Sequence, residues 1–322
     1  MIYLLFSFVF TGTVILASGY SQEKETSLSE MESSLATLMS QTKNREAVTI
    51  RTNQLVETYG VNLLPFLERY MHDDSEHVRY ISCAMLWQIG VNNAPLKADR
   101  IRIVGILTRS LADSSPLVQP HVAKCLLDFT ASDFSRDTKK WLENDFLSYY
   151  AKSDSSRDFH NIILICGVAD IKSILSLLKN LLEDERQYEK KEHAGSWYGT
   201  TSWAARRARA RMGSKEDIIR CIQLVEQEKD KMMRYSVLFS RLQYIRQPEV
   251  IPVLAKYLNS DEGPLYESDD TILLPARYWA AEALGIMLED FPARKEVSLF
   301  TEQDITLCRK MISAKKEWKI IR

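Results

Sequence analysis

Glycine and proline are scarce in this chain, with 11 and 9 among its 322 residues. An all-β fold needs many turns, and turns are built mainly from these residues, so their shortage disfavours that class. Charge of one sign is lacking too, because the formal net charge is −1. Any electrostatic partner must therefore be recognised by a local patch, and nucleic acid is not an expected partner. With 45% apolar residues the chain is expected to fold, mainly into helices.

Common catalytic signatures are absent as well. The sequence contains no GxSxG, P-loop or dinucleotide fingerprint, and no histidine belongs to an HExxH pattern. Residues 73–77 are acidic, but Asp74 is better explained as a turn residue and the rest as a solvated edge than as a metal site. Neighbouring carboxylates such as Asp269 and Asp270 are too common in acidic loops to indicate glycoside hydrolysis. The sequence predicts no catalytic residue, no metal site and no cofactor.

The cysteines number five, and no CxxC pair occurs among them. Cys83, Cys125 and Cys166 lie in apolar runs about 40 residues apart. Packed helices stand about 8–10 Å apart, whereas a disulfide needs Cα atoms within about 7 Å. We therefore expect these three residues to be buried thiols, and Cys221 and Cys308 also fall in helical runs.

The N-terminal segment contains no charged side chain before Glu23 and is strongly apolar over residues 2–17. Small residues at positions 17–19 suit cleavage, so residues 1–19 are expected to be a signal peptide, followed by a short linker over residues 20–27. The protein would then be exported to the periplasm or the extracellular space. The alternative is a retained membrane anchor formed by residues 2–17, and the absence of Lys or Arg before the apolar core leaves it open.

A repeated pattern runs through the remainder of the chain. An apolar residue followed by Arg-Tyr occurs at residues 78–80, 233–235 and 276–278, each time opening an amphipathic helical run. Asp-Ser turns recur at residues 73–75, 113–115 and 154–156, about 40 residues apart. This spacing is typical of arrays of two-helix units. Gly90 closes one such run and is expected to end its helix in the left-handed conformation.

These units resemble the HEAT-repeat family, whose second helix commonly carries an Asp, a short gap, Val-Arg and then Ala-Leu-Gly. The match is best at Asp74 with Val78-Arg79 and over residues 276–285. The resemblance implies an all-α, armadillo-like, right-handed α-solenoid of about seven two-helix repeats, forming one domain over residues 28–322. The repeats would cover residues 28–60, 62–90, 99–130, 136–168, 170–213, 215–246 and 248–291, followed by a closing helix from about residue 302.

The same resemblance implies a structural role for the repeated arginines. In the family this Arg pairs with a turn Asp of its own or a neighbouring repeat. A ladder of such contacts would here involve Asp74, Arg79, Arg234 and Arg277. The tyrosines that follow these arginines are expected to cover the seam between helices with their hydroxyl groups toward water.

Two predicted units are longer than the others, with insertions at residues 184–200 and 260–273. Equivalent turns of a solenoid align along one edge, so both loops should project from one rim. Exposed aromatic rings there could stack on a sugar or a peptide side chain, and nearby arginines suit an anion. The candidate binding residues are Trp197, Tyr198, Trp203, Arg206, Arg207, Arg209 and Tyr266. Alternatively, Trp203 fills the core, and the arginines cover apolar surface or face the acidic loop.

Two functions remain open at this stage. We expect an exported, non-enzymatic binding or scaffold module that contacts a protein, peptide or cell-envelope component through its concave face and rim loops. The alternative is an enzyme or enzyme subunit that resembles HEAT-like bilin lyases, with a pocket between the rim loops.

Overall fold

A computed structural model describes residues 28–40, 45–94, 96–152, 157–182, 201–231, 233–260, 262, 267–268, 271–272, 274–292, 300–314 and 317–321. Over these ranges the chain is helical apart from one short β-pairing and an isolated bridge, so the predicted all-α class is confirmed. None of the helices in these ranges has the length and apolarity that crossing a membrane requires. The predicted signal segment, residues 1–19, lies outside them. Of the described residues, those from 28 to 212 belong to one compact unit, the N-terminal unit, and those from 213 onward to another, the C-terminal unit.

The N-terminal unit is built from helices joined by short connections. Several of the connections are themselves single turns of 3₁₀-helix, at Gly60–Leu63, Ser110–Ala112, Ala131–Asp133 and Lys172–Ile174. The α-helices are α1 Leu28–Ser40, α2 Arg45–Tyr59, α3 Leu64–Tyr70, α4 Glu76–Gln88, α5 Lys97–Arg109, α6 Val118–Leu126, α7 Arg136–Ala151, α8 Arg157–Val168, α9 Leu175–Leu181 and α10 Thr201–Arg211.

Within this unit the even-numbered helices form a row. α4 packs against α2 on one side and α6 on the other, α6 packs against α8, and α8 packs against α10. The odd-numbered helices cover this row, with α3 on α4, α7 on α8 and α9 on α10. The helices of the row are buried on most sides, and Met85, Val122 and Ile163 have no exposed surface.

Local sequence explains where several of these helices begin. Ser135 precedes α7, and its hydroxyl accepts a hydrogen bond from the backbone N–H of Thr138 at 3.1 Å. Asp73 accepts a bond from the N–H of Ser75 at 2.8 Å, which shapes the turn before α4. The Ser135 side chain thereby satisfies a backbone donor that has no partner inside the helix, whereas the side chain of Ser75, ahead of α4, makes no such capping bond. Asp-Ser turns were expected at helix starts because their side chains can cap such donors.

The prediction for Gly90 is wrong. Among the described residues the glycines with positive φ are Gly60 and Gly213, whereas Gly90 lies in a π-helical turn, Ile89–Asn93. A Cβ at position 90 would come within 2.8 Å of the ring of Phe129. Glycine is therefore needed at this position for close packing and not for a left-handed stop.

The C-terminal unit is helical too, with α14 at its centre. Its helices are α11 Lys215–Gln227, α12 Phe239–Ile245, α13 Ile251–Leu258, α14 Ala276–Met287 and α15 Glu302–Ala314, with a π-helical turn at Met233–Leu238 and a 3₁₀ turn at Pro248–Val250. α14 packs against α12, α13 and α15, so the helix expected from about residue 302 is present and in contact with the rest of the unit.

The segment between α13 and α14 carries a small β-structure that the sequence did not suggest. Two-residue strands β1, Glu267–Ser268, and β2, Thr271–Ile272, pair antiparallel. The end of the chain also pairs with the end of α14, because the N–H of Ile321 donates to the carbonyl of Met287 at 2.9 Å.

We predict that Gly90→Ala lowers the free energy of unfolding by about 1–3 kcal/mol, because the ring of the buried Phe129 has to move to make room. Urea denaturation of the full chain measures this loss. Gly105→Ala is the matched control, since its nearest neighbour is 3.8 Å away and Ala favours helix α5. Equal losses in both variants would contradict the packing explanation.

Candidate functional site

The predicted binding residues are only partly within the described ranges. Trp197, Tyr198 and Tyr266 lie outside them, as does the whole loop 184–200. Trp203 is described, and only 2% of its surface is exposed, on helix α10 where it packs against α8 and α9. This tryptophan is therefore positioned as a core residue, with no face open to a ligand.

The three predicted arginines lie on the same helix, α10. Arg206, Arg207 and Arg209 are partly exposed. The guanidinium carbon of Arg206 lies 5.9 Å from the centroid of the Trp203 ring, which places its stem along apolar surface. The helix thus presents positive charge at its partly exposed side while its alanines and tryptophan are buried.

Arg79, on α4, links two consecutive turns of the N-terminal unit. Its Nε donates to Oδ2 of Asp113 at 2.7 Å, and its Nη2 donates to Oδ1 of the same carboxylate at 3.1 Å. Its Nη1 donates to the backbone carbonyls of Asp73 at 2.7 Å and Asp74 at 3.0 Å. One partly buried guanidinium therefore ties the turn before α4 to the turn before α6, and Asp74 takes part through its carbonyl oxygen.

Further contacts strengthen the same junction. Asp113 also accepts a bond from the N–H of Ser115 at 2.8 Å, and the hydroxyl of Ser115 donates to Glu76 at 2.5 Å. That hydroxyl also accepts the N–H of Leu117 at 3.1 Å. Asp73 therefore helps to shape the turn before α4, and Glu76 connects α4 to the turn before α6.

In the C-terminal unit each Arg-Tyr pair holds a glutamate. Arg277 donates to Oε1 of Glu302 at 2.5 Å, and the hydroxyl of Tyr278 donates to the same oxygen at 2.7 Å. The hydroxyl of Tyr235 likewise donates to Glu262, whereas Arg234 approaches that carboxylate only to 3.9 Å and donates its hydrogen bond to the carbonyl of Glu228. The expectation that these hydroxyl groups face water is wrong for both tyrosines, because carboxylates within the unit are in reach.

These contacts shift the titration of the groups involved. Burial alone would raise the pKa of Asp113, but the hydrogen bonds from Arg79 and from the N–H of Ser115 outweigh it and lower that pKa. Burial raises the pKa of Tyr278, and its bond to Glu302 adds to the shift. The same bond, together with Arg277, lowers the pKa of Glu302.

A cluster of sulfur and nitrogen atoms lies between α4 and α6. Cys83 of α4 points at Cys125 of α6, and their Sγ atoms are 3.9 Å apart. Sγ of Cys125 is also 3.7 Å from Nε2 of His121, one helical turn earlier. The three potential ligand atoms all lie within 4.8 Å of one another. Cys83 and Cys125 are buried, and His121 is partly exposed.

Sequence reasoning missed this cluster. The predicted burial of the cysteines is confirmed, since all five are buried free thiols. Helix spacing, however, was expected to keep the sulfurs apart, and Cys83 and Cys125 meet because both point into one interface. The overlooked signal is His121-x₃-Cys125, a spacing that puts both side chains on one face of a helix.

None of the known protein-family models matches this chain, and none of the curated proteins matches it either.

We predict that Arg79→Ala lowers the free energy of unfolding by about 1–3 kcal/mol, because the Asp113 side chain, only 9% exposed, loses its charged partner. A double-mutant cycle with Asp113→Ala, followed by urea denaturation, isolates the pair. Arg69→Ala is the control, since Arg69 and Glu32 form an exposed pair and should change stability little. Equal effects of Arg69→Ala and Arg79→Ala would refute the assignment.

The lowered pKa of Asp113 predicts a pH dependence. Its contribution to stability is fully present above its unfolded-state pKa of about 3.9 and is lost as the pH falls through the lower folded-state pKa. The difference in unfolding free energy between wild type and Asp113→Asn should therefore shrink as the pH drops from about 6 to about 3. In an Arg79→Ala background this pH dependence should be much weaker, and an unchanged one would contradict the role of Arg79.

Proposed function

We propose that this protein is a binding module built as a HEAT-like α-solenoid of about seven two-helix repeats, without catalytic activity of its own. The main support is the row α2, α4, α6, α8 and α10, in which each helix packs against the next while α3, α7 and α9 cover it. Stacked helix pairs of this kind make extended surfaces for macromolecular partners.

The arginine contacts support the same proposal. Arg79 binds the carboxylate of a turn 34 residues further along the chain, and Arg277 binds Glu302 at the start of α15. Contacts that connect the turns of successive units fix the positions of the turns. A scaffold with fixed turns can present loops to a partner without the cost of ordering them at binding.

The partner would be a protein or a peptide, and the candidate contact loops are residues 184–200 of the N-terminal unit and residues 260–273 of the C-terminal unit. Helix α10 follows the first loop directly and carries Arg206, Arg207 and Arg209 at partly exposed positions. Arginine beside aromatic residues is a composition enriched where proteins bind each other. The segment over residues 1–19 further leads us to propose an exported protein that acts in the periplasm or outside the cell.

Replacement of Trp197 and Tyr198 together by Ala should abolish partner capture. The test uses the full chain as bait in an extract of the native cell envelope, with chemical crosslinking and mass spectrometry to locate the crosslinked residues. Wild type should yield saturable crosslinks within residues 184–211, and the double variant should lose them by tenfold or more, as expected for the loss of binding-site aromatics.

A matched control removes the partly exposed aromatics Trp141 and Tyr150 of α7 instead. Both double variants are compared with wild type by circular dichroism and thermal unfolding, so that loss of capture is not confused with loss of fold. Capture that survives the loss of Trp197 and Tyr198, or that is lost equally in the α7 control, would count against the loop as binding site.

A further inference from the structure

Two distances within the cluster of Cys83, His121 and Cys125 are close to those between ligands of one metal ion, and all three potential ligand atoms lie within 4.8 Å of one another. A tetrahedral Zn²⁺ with Zn–S bonds of about 2.3 Å and Zn–N bonds of about 2.0 Å separates two sulfurs by about 3.8 Å and sulfur from nitrogen by about 3.5 Å. The structure has 3.9 Å between the two Sγ atoms and 3.7 Å between Sγ of Cys125 and Nε2 of His121.

The side chains that carry these atoms are held in place by their surroundings. His121 and Cys125 lie one turn apart on α6, and Cys83 faces them from α4, which packs directly on α6. The imidazole of His121 lies against the ring of Tyr80, with 4.4 Å between the ring centroids. Because Cys83 and Cys125 are buried in the interface and Tyr80 covers the imidazole, little rearrangement is needed to bring the three atoms around one ion.

We propose that Cys83, His121 and Cys125 bind one thiophilic divalent metal ion, Zn²⁺, between α4 and α6. Two thiolates and a neutral imidazole balance the charge of a divalent ion, and a buried site favours a neutral assembly. A monovalent ion such as Cu⁺ would leave a net negative charge among apolar side chains. Sulfur and imidazole ligands together suit zinc, and three of them leave a fourth position for water on the partly exposed side of His121.

Proton release accompanies binding at such a site. Cysteine binds a metal ion as the thiolate, so each of the two thiols releases its proton to solvent when the ion binds. Metal affinity should therefore fall as the pH is lowered. The bound ion would fasten two neighbouring helices of the row together, in the part of the chain where Arg79 already joins the turns.

Metal binding to the reduced full chain tests the proposal. We expect one Zn²⁺ per chain, measured by elemental analysis after gel filtration and by competition with a chromophoric chelator. Co²⁺ in place of Zn²⁺ should give the near-ultraviolet charge-transfer bands of thiolate ligation. Cys83→Ser, Cys125→Ser and His121→Gln should each weaken binding by tenfold or more.

Cys166→Ser is the matched control, because Cys166 is equally buried, on the next helix of the row, and contacts the carbonyl of Leu142 instead of a second ligand. It should bind metal like wild type. A readout that needs no variant is alkylation: added Zn²⁺ should protect Cys83 and Cys125 under partly unfolding conditions, and Cys166 should remain unprotected.

Three results would overturn the proposal. The first is a reduced wild-type chain that binds no metal stoichiometrically. The second is Cys166→Ser weakening binding as much as Cys83→Ser and Cys125→Ser do. The third is a native protein in which Cys83 and Cys125 are joined by a disulfide, shown by mass spectrometry of unreduced peptides, because those sulfurs could then no longer bind an ion.

Discussion

The side-by-side packing of α4 on α6 is the contact on which most of the described geometry of the N-terminal unit depends. It brings the turn before α6 within reach of Arg79, and it brings Cys83 of one helix against Cys125 of the next. Gly90 also allows close packing next to this contact, because the ring of Phe129 occupies the space where a Cβ would stand.

Arginine–carboxylate pairs also connect helices and turns at other places in the chain. In the N-terminal unit the acceptor is Asp113 in a turn, whereas in the C-terminal unit the carboxylates are those of Glu262 and Glu302, each close to an Arg and bonded to the Tyr that follows it. Only the Arg79–Asp113 pair is largely removed from water on both sides, whereas Glu262 and Glu302 remain substantially exposed. A lost partner should therefore cost most at the Arg79–Asp113 pair. Such pairs specify which turn meets which helix, and that fixed geometry is what a scaffold for partner-binding loops requires.

A metal ion at the cluster of α4 and α6 would give the proposed scaffold a second kind of connection. An ion held by Cys83, Cys125 and His121 would join the same two helices that Arg79 joins at their turns. Unlike the arginine contact, this link would depend on the pH and on the supply of metal. It would not conflict with a binding function, because the proposed partner-binding loops lie elsewhere in the sequence. The stability of the array, and with it the presentation of the loops, would then respond to metal availability.

Helix positions and fold class could be predicted from the sequence, because apolar periodicity and Asp-Ser turns depend only on residues close together in the chain. These signals are the same however the helices pack. The same holds for the burial of the cysteines, since each sits in an apolar helical run. Long-range partners could not be predicted: sequence alone does not show that Tyr278 meets Glu302, or that Trp203 is enclosed by α8 and α9. The sequence by itself thus determined which segments are helical and which faces are apolar. Only the tertiary structure decided that Cys83, His121 and Cys125 converge, because ligand geometry depends on how two helices are placed in space and not on their separate patterns.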